Sequence, residues 1–118
     1  MKRIWLAVVP LGLVAVAAVT SHLHHNGGDW RLKRDRAAVE AAAQHIPYED
    51  IAAAWTKTRL GDPAPLNTIQ AQIPVRPLAA HEAAGAIILS FATHTATRNV
   101  CLDLIAYREG NTVRTRRC

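Results

Sequence analysis

Apolar and polar positions follow two different patterns along this chain. Residues 4–19 are almost all apolar, whereas from Asp29 onward apolar residues are spaced by polar ones. We therefore divide the chain into residues 1–28, a hydrophobic segment with a polar linker, and residues 29–118, a single small domain. The first apolar stripe of that domain recurs at helical spacing; it consists of Leu32, Val39, Ala42, Ala43 and Ile46.

Two helices are predicted at the start of the domain. The first begins near Asp29, a residue type that suits an N-cap, and its amphipathic pattern stops at Pro47. A second, shorter helix is expected after Pro47, because acidic residues occupy its first turn, basic residues its last turn, and Gly61 follows. Its core-facing residues are expected to be Tyr48, Ile51, Ala54 and Trp55.

The second half of the domain predicts mainly strands. Prolines in residues 62–78 indicate a loop, with one edge strand over residues 68–75. The apolar run of residues 86–92, which follows Gly85, is typical of a central strand. Residues 97–107 fit a helix or a strand, and the spacing of their apolar residues slightly favours a helix.

A turn is expected at residues 109–111, and residues 112–117 alternate as a charged edge strand. Together these elements predict an α+β fold. An amphipathic helix packs on a small antiparallel sheet, and a loop closed by a disulfide ends the chain.

The hydrophobic segment of residues 4–19 is predicted to direct export. Lys2 and Arg3 precede it and no charged side chain follows until Asp29, so the amino end stays in the cytoplasm and the domain is exported. The segment is short for a membrane span, which needs about 20 residues, and long for a signal-peptide core of about 7 to 15. Ala17 suits cleavage, but retention fits equally well. We expect an inner-membrane protein facing the periplasm, or a periplasmic or extracellular one if the leader is cleaved.

Cys101 and Cys118 are the chain's two cysteines. In an oxidising compartment each has the other as its partner, so we expect a disulfide, which in the chain-entropy model stabilises the domain by about 3 kcal/mol. The alternative is a pair of free or intermolecular thiols. Metal binding through them is less favoured, because there is no CxxC spacing and no histidine nearby.

Charge and composition exclude several functional classes. Fourteen Lys and Arg against nine Asp and Glu make the chain basic, with clusters at residues 31–36 and 108–117. No aromatic residues are interleaved with the second cluster, so we interpret it as solvated surface and expect no nucleic-acid partner. Ser90 lacks a nucleophile motif, and no phosphate-binding loop is present. We therefore expect no enzymatic activity.

Three histidines of the linker, His22, His24 and His25, are the candidate metal ligands. If cleavage fell after Ser21, His24 would be the third residue of a free amino terminus, an arrangement that suits Cu(II) or Ni(II). A polar linker accounts for the same residues more simply. We therefore expect no metal and no other cofactor.

The order of elements resembles a type IVb pilin. Residues 87–104, IILSFATHTATRNVCLDL, look like the strand, polar turn and cysteine of that family, and residues 47–63, PYEDIAAAWTKTRLGDP, look like the segment after its long helix. The resemblance implies an N-terminal hydrophobic helix that continues onto an antiparallel sheet. The family's Gly before the peptidase cut, with a Glu five residues into the mature chain, has no counterpart at Gly12 and the residues after it.

The resemblance implies a structural or interaction component of a bacterial envelope assembly. We expect a pilin-like minor subunit that is anchored by its N-terminal helix. Its partners would be the membrane and other protein subunits of an envelope or pilus assembly. The alternative is a soluble periplasmic binding or inhibitor module released by signal-peptide cleavage.

Overall fold

A computed structural model describes residues 29–118 of the chain. The hydrophobic segment, its cleavage site and the candidate metal ligands His22, His24 and His25 lie outside the described residues. The described elements are helices α1 (Asp29–His45), α2 (Tyr48–Arg59) and α3 (Ala64–Ala71), followed by strands β1 (Arg76–Ala83), β2 (Ala86–His94), β3 (Asn99–Tyr107) and β4 (Gly110–Arg117).

The four strands form one antiparallel sheet in the order β1-β2-β3-β4. Each strand pairs with the one before it through a short connection, so β2 and β3 are central and β1 and β4 are edges. The predicted α+β class, with helices on a small antiparallel sheet, is confirmed. The predicted central strand is β2. The charged edge strand predicted at residues 112–117 is part of β4.

Helix α1 lies across the sheet and is fixed at both ends by polar contacts. Near its first turns the buried Asp35 accepts a hydrogen bond of 2.6 Å from Thr93 Oγ1 at the end of β2. At its other end, Asn111 Nδ2 donates to the carbonyls of Ala43 at 3.1 Å and Ile46 at 2.7 Å. Between these contacts Val39 is fully buried in the core. The predicted amphipathic helix is therefore confirmed.

Helix α2 also forms where the sequence predicts it. Ile51 and Ala54 are buried, while Tyr48 and Trp55 are half-buried and pack against the same core. The indole Nε1 of Trp55 donates a hydrogen bond of 3.3 Å to Glu82 Oε2. This contact ties α2 to the end of β1.

The predicted loop over residues 62–78 is wrong. Helix α3 lies within it, and the edge strand begins at Arg76, after the predicted range of residues 68–75. Pro63 and Pro65 stand at the start of α3, where backbone N–H groups have no helical partner, so neither proline disrupts the helix. Pro77 is tolerated because β1 is an edge strand whose register shifts between Pro77 and Ala79.

The helix preferred for residues 97–107 is also wrong, because Asn99–Tyr107 is strand β3. This strand pairs with β2 on one side and β4 on the other, so its backbone is satisfied by two ladders. Every residue from Val100 to Ala106 is buried. Burial on both faces of a central strand requires apolar residues at successive positions, and this masks the period of two that would identify a strand.

The structure joins Cys101 and Cys118 in a disulfide, with their Cα atoms 5.0 Å apart. Cys101 lies within β3 and Cys118 directly follows β4. The turn between these strands lies at residues 108–109, slightly earlier than predicted. The closed segment is therefore a β-hairpin, which corrects the expected loop.

Candidate interaction surface

The two faces of the sheet have different surroundings. All three described helices pack against one face, which we call the helix face. No helix of residues 29–118 packs against the opposite side, which we call the open face. Side chains of β2, β3 and β4 alternate between the faces, and those on the open face include Ile88, Ser90, Cys101, Asp103, Ile105, Arg114 and Arg116.

An ionic cluster lies at the middle of the open face. Ser90, Asp103 and Arg114 are direct partners in one row across β2, β3 and β4. Ser90 Oγ donates to Asp103 Oδ1 at 2.8 Å. Arg114 donates to Oδ2 from Nη2 at 2.7 Å and from Nε at 3.2 Å, and Arg116 Nε donates to the same oxygen at 2.7 Å. We call these four residues the Asp103 cluster.

The cluster holds its carboxylate in the ionised form. Burial alone raises the pKa of Asp103, but the hydrogen bonds from Arg116, Arg114 and Ser90 outweigh burial and hold that pKa below its ordinary value of 3.8. The side chain is fully buried. At neutral pH it therefore has neither a proton to donate nor a surface that a substrate could reach. Its contacts fix the positions of the two arginines.

The two arginines remain accessible. The side chain of Arg114 is 52% exposed and that of Arg116 is 40% exposed. Two guanidinium groups on one carboxylate leave a net positive charge, and their outward N–H groups are free of that carboxylate. Because Asp103 holds both planes in place, the pair can bind an anionic group with little loss of side-chain entropy.

The disulfide borders this cluster. Cys101 is the direct cross-strand partner of Arg116, and Cys118 follows two positions after Arg116. The covalent link therefore holds the end of β4 at the position from which Arg116 reaches Asp103.

The other part of the open face is apolar. Ala86, Ile88 and Ile105 form a small cluster of their own, separate from the core on the helix face, and all three are buried. Tyr107, which follows on the same face of β3, is 38% exposed. The exposed part of the open face therefore includes Arg114, Arg116 and Tyr107, and arginine and aromatic side chains are enriched in protein interfaces.

Some candidate residues of the sequence come together and others do not. Cys101 and Cys118 are joined, whereas His45 ends α1, His81 lies in β1 and His94 ends β2. Among residues 29–118, no three His, Cys, Asp or Glu side chains form a group that could hold a metal ion. Among the described residues, the Asp103 cluster joins three polar side chains around one buried carboxylate, whereas Thr93 and Asp35 form a separate buried pair.

Sequence reasoning did not single out Asp103, Arg114 or Arg116, although a signal was present. Asp103 is the one acidic residue in the apolar stretch VCLDLIAY, and the next strand places arginines at alternate positions in TVRTRR. An acid inside a buried strand requires a partner. Basic residues at alternate positions of the neighbouring strand are the partners that a hairpin would supply.

No helix within residues 29–118 has the length and apolarity needed to span a membrane. Comparison of the chain with models of protein families, with curated proteins and with solved structures found no match.

Proposed function

We propose that the chain is a structural or interaction component of a bacterial envelope assembly. In this proposal it is a pilin-like minor subunit whose N-terminal hydrophobic helix is anchored in the membrane and whose domain binds neighbouring subunits. The domain uses the open face for these contacts.

The observation that carries the proposal is the construction of the open face. A buried carboxylate holds Arg114 and Arg116 while 52% and 40% of their side chains stay exposed, and Tyr107 on the same face is 38% exposed. A buried ion pair adds little stability compared with apolar residues of similar size. Its presence is therefore better explained by binding than by folding.

The hydrophobic segment is the second support. Residues 4–19 precede α1 and only residues 20–28 intervene, so the anchor and the helix that lies on the sheet are close along the chain. A retained segment would hold the domain at the membrane surface. There it could meet other membrane-anchored subunits at high effective concentration.

The alternative function is a periplasmic binding or inhibitor module that signal-peptide cleavage releases. Ala15 and Ala17 are small residues that suit such a cleavage site. The open face would serve a released module equally well. The two functions therefore differ in the fate of the leader.

The first experiment replaces residues 1–21 with an efficiently cleaved signal peptide and compares this protein with the native chain. Export and disulfide formation are checked to be equal, and then membrane association and co-purifying proteins are measured. We expect the native chain to stay in the membrane and the exchanged chain to lose its partners. Unchanged partners and full complementation of a deletion would instead support the released module.

The second experiment tests the open face. Asp103→Asn, Arg114→Gln and Arg116→Gln are combined, so that no buried carboxylate is left without its arginines. The control, Lys57→Gln, changes the net charge by the same amount on an exposed position of α2. We expect the triple variant to fold and lose partners while the control keeps them. Equal retention of partners by both variants would contradict the proposal.

A further inference from the structure

Arginines from four separate parts of the chain meet at one end of the domain. Residues 29–34 begin α1, Arg76 begins β1, Arg98 lies between β2 and β3, and Arg117 ends β4. Antiparallel pairing and the Asp35–Thr93 contact place these points at the same end of the sheet. We call this the cationic end; its arginines are Arg31, Arg34, Arg76, Arg98 and Arg117.

The cationic end contains two adjoining surface cavities. One, of about 670 Å³, is lined by Arg98 and Arg117, and the other, of about 280 Å³, is lined by Arg31, Arg34 and Arg76. Asn99 lines both. The five arginines therefore surround one continuous indented surface and are not scattered over the domain.

This surface has an excess of positive charge. Its acidic side chains are Asp29 and Asp35, so the side chains of the five arginines and two acids have a net charge of +3. Asp35 is buried and already accepts hydrogen bonds from Thr93 and Arg34. Within residues 29–118, no carboxylate lies at ion-pair distance from the other four arginines. Their guanidinium groups are available to an external anion.

We propose that the cationic end binds the phosphates of anionic phospholipid headgroups in the membrane that anchors the protein. This inference rests on the proposed function, because it requires a retained hydrophobic segment. Residues 20–28 separate that segment from α1 and can span at most about 30 Å. Since α1 begins at the cationic end, the linker keeps this end within reach of the bilayer surface.

The chemistry of the cationic end suits headgroup phosphates. Guanidinium groups bind phosphate oxygens through paired hydrogen bonds, and anionic lipids attract clustered basic residues near a membrane anchor. Trp30 also lies at this end, with the guanidinium carbons of Arg34 and Arg31 at 4.9 Å and 5.9 Å from its ring centre. Tryptophan is enriched at the level of lipid headgroups.

The opposite end of the sheet lacks this character. Glu82 precedes the turn between β1 and β2, and Glu109 lies in the turn between β3 and β4. Helix α2, whose first turn carries Glu49 and Asp50, begins close to Asn111 at that end. Arg59 pairs with Glu82 and Arg108 adjoins Glu109, so this end has a net negative side-chain charge of two from four acids and two arginines. The charge distribution thus orients the domain, with the basic end toward an anionic surface.

The test uses the full chain in lipid nanodiscs. In one set the lipid is phosphatidylcholine alone, and in the other about 30% is phosphatidylglycerol. Trp5→Phe and Trp55→Phe leave Trp30 as the reporter, and a headgroup spin-labelled lipid quenches its fluorescence. We expect Trp30 to be quenched at least about twofold more strongly in the discs with phosphatidylglycerol than in those without it. This excess quenching should disappear in about 0.5 M salt.

Two variants decide whether the named arginines are responsible. Arg76→Gln, Arg98→Gln and Arg117→Gln should abolish the excess quenching, although all three positions are distant in sequence from the reporter. The control variant Lys57→Gln, Arg59→Gln and Arg108→Gln removes three positive charges elsewhere and should retain it. Loss of the excess in both variants would show nonspecific attraction and overturn the inference.

The remaining outcomes also discriminate. Equal quenching in the two kinds of disc overturns the inference and leaves the proposed function intact. The same change in Trp30 on adding inorganic phosphate to phosphatidylcholine discs would mean a site for a soluble anion, and would overturn the lipid assignment. A chain that is not retained in either disc overturns the proposed function together with this inference.

Discussion

On the helix face, the central strands contribute Leu89, Phe91 and Leu102, which are fully buried against helices. On the open face, the same strands contribute Ile88, Ser90 and Asp103, each of which is the sequence neighbour of one of those buried residues. The helix face excludes water by apolar packing at its centre, with the polar contacts of Thr93 and Asn111 near its two ends. The open face combines a small apolar group with a buried carboxylate that is satisfied only by hydrogen bonds from neighbouring strands.

This difference indicates that the two faces of the sheet contribute differently to folding stability and to partner binding. Apolar packing on the helix face supplies most of the stability, because it removes the largest apolar area from water. The open face contributes less stability and requires specific partners, since a charge buried without them costs several kcal/mol. The open face also carries two partly exposed arginines that apolar packing alone would not require. This is why we assign partner binding to it.

The largest expected effect is the loss of folding stability when aspartate replaces Leu89 on the helix face, compared with the same change at Ile88 on the open face. Leu89→Asp should yield no folded protein, because its carboxylate would be surrounded by apolar side chains in a domain whose total stability is about 5 to 15 kcal/mol. Ile88→Asp should also destabilise the domain, because Ile88 is only 7% exposed, but by less than Leu89→Asp, because its carboxylate would face the small Ala86 and Ile105 cluster and not the main core. Soluble yield and urea denaturation measure both. Equal effects would mean that the two faces are equally enclosed.

The next effect concerns the covalent link on the open face. The double variant Cys101→Ser and Cys118→Ser should lower the free energy of unfolding by about 3 kcal/mol, because the unfolded chain loses its cross-link. Thermal and chemical denaturation measure the change. In the native protein, alkylation of both thiols should require prior reduction. Complete alkylation without a reductant would disprove the disulfide.

A smaller effect should follow from removing the charge of Asp103. Asp103→Asn should lower stability at pH 7 by about 1 to 3 kcal/mol, because the arginines lose their ionic acceptor. The folded pKa lies below the ordinary value of 3.8, so this stabilisation is complete above that value and is lost as the pH falls through the folded pKa.

Denaturation of native protein and variant from pH 7 to pH 2 tests this sign. Their stabilities should converge as the pH falls below about 3.8. The control Asp50→Asn, at an exposed position in the first turn of α2, should change stability much less. A constant difference over the whole range would show that ionisation of Asp103 does not stabilise the fold.

The smallest effect concerns the attachment of α1 on the helix face. Asn111→Ala removes two hydrogen bonds to the end of α1 and should cost about 1 to 2 kcal/mol. The buried Asn111 Oδ1 has no partner within the described residues, so its removal offsets part of the loss. Asn111→Asp should be more harmful, because a carboxylate would face the negative end of the helix.

Thermal denaturation of both variants checks this order, with Asn67→Ala at an exposed position of α3 as a control. If Asn111→Asp proves as stable as Asn111→Ala, the contact with the carbonyls of α1 does not exist in solution.

Local pattern determined much of the fold. Helices α1 and α2 follow from an apolar stripe, from Pro47 and from charges placed in favour of the helix dipole, all of which act within a few residues. Strand β2 and the exposed alternation of β4 follow from equally local signals. These predictions hold because each depends on neighbours in sequence. The disulfide was expected for a different reason: the chain has two cysteines and a predicted export segment.

Only the tertiary structure decided the identity of β3 and the Asp103 cluster. Residues 97–107 have no clear period, and they become a strand because β2 and β4 satisfy their backbone from both sides. In the same way, a lone aspartate and two alternating arginines have the pattern of surface charge, until the hairpin places Arg114 opposite Asp103 and Arg116 diagonally from it. The cationic end likewise forms because the start of α1, the start of β1, the connection between β2 and β3, and the end of β4 lie at the same end of the sheet. Pairing between distant segments sets all three features, and hydrophobic periodicity does not encode which segments pair.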